Sequence, residues 1–130
     1  MHRNLTSSHI VRTALVLLLA VTFVVAAASP AMALSAKKKA VIRIIKAEAK
    51  KKNLGPVQIA ALLKIANRES GFRPTATNGP CKGLFQLATS HGRSKWSKPG
   101  WNTRKAIRYI KHRYGTPTAA LRHCYRYGWY

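Results

Sequence analysis

Pro56-Val57-Gln58-Ile59-Ala60-Ala61-Leu62-Leu63-Lys64-Ile65-Ala66-Asn67-Arg68-Glu69-Ser70-Gly71-Phe72 is the stretch that decides how this chain folds. Pro56 suits the first turn of a helix, where its missing N–H is not needed. Ile59, Leu62, Leu63 and Ala66 then recur at helical spacing and share one face. The spacing predicts a helix from Pro56 to about Arg68. Glu69 falls at its end, seven residues after Leu62 and four after Ile65, so it projects beside the apolar face. A carboxyl there is partly desolvated, which disfavours its charged form and raises its pKa. A carboxylic acid still neutral near physiological pH is the group that protonates a leaving oxygen in general-acid catalysis. The competing reading is a helix-terminal Glu paired with Arg68 or Arg73, which would lower its pKa instead.

Upstream, Ala36 to Lys52 reads as a basic helix with Val41, Ile44 and Ile45 as its apolar stripe. Asn53-Leu54-Gly55-Pro56 stops it. Glu48 lies within that stripe, and a pair with Lys52 at i,i+4 spacing accounts for it. Downstream, Gly71 to Gly100 is rich in breakers (Pro74, Asn78-Gly79-Pro80, Gly83, Gly92, Pro99-Gly100). Within it only Gly83-Leu84-Phe85-Gln86-Leu87-Ala88 suggests a short helical turn. Asn102 or Thr103 is the expected cap of a further helix through Tyr114, burying Ala106, Ile107 and Ile110 and ending at Gly115. Thr116 and Pro117 open the last helix, whose stripe is Ala120, Leu121, Cys124 and Tyr127. Alternating strand patterns are absent. The fold class expected is all-α: four helices with a long ordered loop.

The first residues look like an export signal. Arg3 and Arg12 precede an uncharged run from Ala14 to Ala28, and Pro30 and Ala31-Met32-Ala33 offer a small-x-small cleavage site. That run is short of the about 20 residues a spanning helix needs, so a cleaved signal is favoured over a stable membrane anchor. The expected organisation is a signal peptide over 1–33, a basic first helix over 34–52 and the main domain over 53–130. The product would be secreted or held in the cell envelope.

Lysine and arginine number 24 against two acids, a net charge of +22. Losing Arg3 and Arg12 with the signal leaves +20. Such a charge draws a protein to polyanions. No basic cluster resolves into a nucleic-acid-binding module, so no nucleic acid is expected. With export, anionic wall polymers or lipid headgroups are the better partners. An even count of two cysteines, Cys81 and Cys124, favours a disulfide in an oxidising compartment. Closing that loop would stabilise by about 3–4 kcal/mol. Two cysteines are too few for a structural zinc site, and the five histidines show no ligand spacing with them. No metal or organic cofactor is suggested.

Asn67-Arg68-Glu69-Ser70-Gly71-Phe72 followed by Gly83-Leu84-Phe85-Gln86 resembles the E-S-G-F … G-L-x-Q signature of lysozyme-like lytic transglycosylases. Trp101-Asn102, Tyr109 to Gly115 and the final Gly128-Trp129-Tyr130 are similar to the actinobacterial branch related to aggregation-promoting-factor C-terminal domains. The resemblance spans about Lys46 to Tyr130. It implies a small lysozyme-like fold with a short cleft, and a monomer acting on peptidoglycan.

 The Glu at the position of Glu69 would protonate the glycosidic oxygen between N-acetylmuramic acid and N-acetylglucosamine. It would then take the proton of the sugar's own 6-hydroxyl, closing a 1,6-anhydro ring without a second carboxylate. That suits a chain whose only other acidic side chain is Glu48, since ordinary glycosidases use two. Gln86 matches the family's cleft glutamine, and Ser70 the serine after the acid. Gly83 would allow close approach of the sugar or of the core.

The family's Y-N-A-G-like segment is not present as such; His123 to Tyr130 stands in its place. Tyr109, on the shoulder of its helix, either faces a cleft or packs. Trp129 either stacks on a sugar or closes the core. The substrate-binding candidates are therefore Ser70, Gln86, Tyr109 and Trp129, with Glu69 catalytic. Besides a transglycosylase or a muramidase, two other classes fit the sequence. One is a non-catalytic cationic wall-binding module, and the other a membrane-surface protein using the helix Ala36 to Lys52.

Overall fold

The computed structural model describes residues 29–88 and 95–130. The signal reading as far as residue 28, and Gly92 in the central loop, lie outside them. Four helices stand among the described residues: α1 Pro30–Lys51, α2 Pro56–Ser70, α3 Pro99–Tyr114 and α4 Pro117–Tyr127. Three two-residue strands complete the fold: β1 Thr77–Asn78, β2 Cys81–Lys82 and β3 Leu87–Ala88. They form one antiparallel sheet in the order β1-β2-β3, with Asn78 opposite Cys81 and Lys82 opposite Leu87.

The fold is therefore mostly helical, and the all-α expectation is corrected by this sheet. Strands of two residues are too short to carry an alternating pattern, so periodicity could not announce them. The same sheet replaces the helical turn expected over 83–88. Gly83 to Gln86 is instead the turn between β2 and β3, with Gly83 at φ +84° and Gln86 at +45°.

Helix boundaries moved where local chemistry overrode the pattern. α1 begins at Pro30 rather than Ala36, because the Ser29 hydroxyl accepts the Met32 N–H at 3.3 Å and Pro30 takes the first helical position. The helix thus runs through the expected cleavage position at Ala33. α3 begins at Pro99, so Asn102 and Thr103 do not cap it; both are buried inside its first turns. Thr103 donates to the Pro99 carbonyl at 2.8 Å, and Asn102 reaches across the core. Thr116 caps α4 as the sequence indicates, accepting the Ala119 N–H at 3.2 Å.

α1 packs on α3, and α2 on α4. Val41, Ile45 and Ala49 of α1 belong to the same core as Leu62 and Ile65 of α2, so the basic helix is part of the one packed unit. Ile44 and Tyr127, both assigned to apolar stripes, are exposed instead. Leu84 and Phe85, in the β2–β3 turn, are fully buried. Each such side chain contributes about 1.5–3 kcal/mol, which anchors the turn under the helices.

Glu48 is buried between α1 and α3. Its expected partner Lys52 is replaced by Arg104 at 3.0 Å and Lys51 at 3.3 Å. Burial pushes the Glu48 carboxyl up, but hydrogen bonds and charge from Arg104 and Lys51 outweigh it and hold the group below the ordinary range. No described helix is long and apolar enough to cross a membrane.

Candidate functional site

α2 runs two residues past Arg68 and places Glu69 and Ser70 in its last turn. Gly71 ends it in the left-handed region at φ +59°, its N–H bonded to the Asn67 carbonyl. The chain then enters the sheet, and the bond from Ser70 to the Leu84 carbonyl holds the β2–β3 turn beside the helix end.

Glu69 is half-buried and lines a groove of about 390 Å³ with Arg68, Asn78, Cys81, Gln86, Trp129 and Tyr130. No cation forms an ion pair with it among the described residues. Arg73, one expected partner, donates from Nε to the Ser70 carbonyl at 3.0 Å. Burial pushes the Glu69 carboxyl above its ordinary pKa, opposed more weakly by the charge of Arg68. The groove therefore favours the protonated form of Glu69 more than water does.

Ser70 does not line this groove. It is buried, and its hydroxyl hydrogen is shared between the Ala66 carbonyl at 3.1 Å and the Leu84 carbonyl at 2.9 Å. It ties the end of α2 to the β2–β3 turn instead of facing the groove. Gln86 does line the groove, but its amide nitrogen donates to Ala76 O at 3.1 Å and Gly83 O at 2.8 Å. Both amide hydrogens are thus engaged by its own loop. Its Oε1 is buried and meets no donor among the described residues.

Gly83 resolves toward the core. A Cβ there would run into Asn102 Nδ2 and come within 2.7 Å of Trp96 O. Asn102 uses that space to accept the Phe85 N–H at 3.0 Å and to donate to Lys82 O at 3.4 Å, clamping the turn to α3.

Trp129 is half-exposed on the groove rather than part of the core. Its carbonyl bonds His123 Nδ1 at 2.8 Å, its ring meets the His123 ring edge-on at 4.4 Å, and Arg113 lies over it at 5.2 Å. Tyr109 lines an adjoining recess of about 140 Å³, which shares Cys81, Gln86 and Tyr130 with the groove.

Tyr130 is the site residue that sequence reasoning did not single out. Its hydroxyl donates to the Phe85 carbonyl, and its ring packs edge-on against Tyr109 at 5.9 Å. Burial, and then the charge of Glu69, push its phenol well above the ordinary range, so it stays a neutral donor. The resemblance of Gly128-Trp129-Tyr130 to the family's ending was the one available signal.

The expected disulfide is not formed: Cys81 and Cys124 are both free thiols. Cys124 faces inward from α4 and is fully buried as a core residue, whereas Cys81 sits on β2 at the groove. Burial, with the charge of Glu69 next, pushes the Cys124 thiol up to about 11. Among the described residues no three His, Cys or acidic side chains gather as a metal site. None of the protein families, curated proteins or solved structures compared with the chain matches it.

Proposed function

We propose that this chain cleaves the glycosidic bond between N-acetylmuramic acid and N-acetylglucosamine in peptidoglycan, with Glu69 as the single catalytic acid and 1,6-anhydro ends as the product. The observation that carries this reading is a half-buried carboxyl, raised in pKa and in no ion pair among the described residues, in a groove that Trp129 also lines.

Glu69 begins neutral and donates its proton to the oxygen of the scissile bond as that bond breaks. The resulting carboxylate takes the proton of the sugar's 6-hydroxyl, whose oxygen bonds to the anomeric carbon. That second proton regenerates the acid, while the first departs on the hydroxyl of the released sugar. The sugar supplies its own nucleophile, which suits a groove lined by one carboxylate side chain. Glu48, the other acid, is held by Arg104 and Lys51 between α1 and α3. Trp129 offers a face for a sugar ring. Export, with loss of residues 1–33, would bring the enzyme to the wall, and its remaining charge of +20 would hold it there.

The test is incubation with purified sacculi and mass analysis of the soluble fragments. Anhydro ends support the proposal. Hydrated reducing ends make the chain a muramidase, and binding without release makes it a wall-binding module.

A further inference from the structure

We propose that a second cavity, formed by the end of α1, one face of α3 and the start of α4, binds the phosphate headgroup of an anionic lipid. The cavity measures about 330 Å³ and shares no lining residue with the Glu69 groove. Four exposed cations line it: Lys52, Arg104, Arg108 and Lys111. Between them lie Leu54 and the buried Ile107 and Pro117, which give the cavity an apolar floor.

The spacing explains the convergence. Ile107 and Arg108 each lie three or four residues from both Arg104 and Lys111, so α3 turns three cations and one apolar side chain to the same side. The only acid nearby is Glu48, already bonded to Arg104 and Lys51. Lys52, Arg108 and Lys111 form no ion pair among the described residues. Like charges around a concavity focus the field and concentrate anions there. Guanidinium groups then match phosphate oxygens in geometry as well as sign.

The floor chooses between anions. A hydrophilic polyol-phosphate polymer would satisfy the cations but set hydroxyls against Leu54, Ile107 and Pro117. An amphiphile satisfies both, with its phosphate among the cations and the start of its chains on the apolar floor. This contact is peripheral, and it does not rest on the cleavage reading.

The test is an amide NMR titration of the full chain with dihexanoyl phosphatidylglycerol below its micelle concentration. Shifts should centre on Leu54, Ile107 and Gly115. The double substitution R108A/K111A should weaken binding about tenfold or more, because charge-assisted phosphate contacts are lost. K37A/K39A, which removes the same charge from the first half of α1, should leave it unchanged. The spectra also show whether each variant is folded. Equal shifts with dihexanoyl phosphatidylcholine, with inorganic phosphate or with soluble polyglycerol phosphate would each overturn the proposal. So would equal weakening by the two double variants.

Discussion

The hydroxyl of Ser70 is bonded to the carbonyl of Leu84 at 2.9 Å, so the residue after the acid is fastened to the turn that carries Gln86. The two motifs, fourteen residues apart, are one structural unit for this reason. Ser70→Ala leaves the buried Leu84 carbonyl without that donor and should cost about 1–3 kcal/mol in denaturant unfolding. Sugar release should fall with it through misalignment of Glu69 and the turn, while the pH profile keeps its shape.

Gly83→Ala should be more damaging. The added methyl meets Asn102 and Trp96, and φ at this position is +84°. Strain and overpacking together should lower stability by about 2–4 kcal/mol, read by chemical denaturation.

The two acids should respond to pH in opposite senses. Glu48 has a lowered pKa, so its contribution is present above the ordinary 4.5 and is lost as pH falls through the lowered value. Glu69 has a raised pKa, so the stability tied to its proton is present below 4.5 and is lost as pH rises through the raised value. At neutral pH Glu48→Gln should therefore cost about 1–3 kcal/mol, and Glu69→Gln should cost nothing or stabilise. Melting temperatures of both variants and the native chain across the acid range check the signs.

The helices were legible because their signals are local. Pro56 and Gly71 bracket α2, and Thr116 with Pro117 opens α4. The sheet was not legible, since its order depends on pairings such as Asn78 with Cys81 that need the whole turn in place. Asn102 misled for a related reason: a good capping residue was used across the core instead, in the space left by Gly83. Glu69 could be found from its position after Leu62 and Ile65. Tyr130 could not be found from its position, because only tertiary packing brings it from the last helix's end to the Phe85 carbonyl.

The cysteines should differ sharply in reactivity. Cys81 is partly exposed at the groove, while Cys124 is buried with its thiol pushed up to about 11. A thiol reagent at neutral pH should label one site in the native protein and both in denaturant. Labelling of neither in denaturant would mean that the two are bridged.

Glu69→Gln offers the most direct measurement of all. The native chain and this variant should bind sacculi equally, and only the native chain should release anhydro-ended fragments, with a rate that falls as pH rises through the raised pKa of Glu69. Equal release by the two proteins would contradict the assignment of Glu69 as the acid.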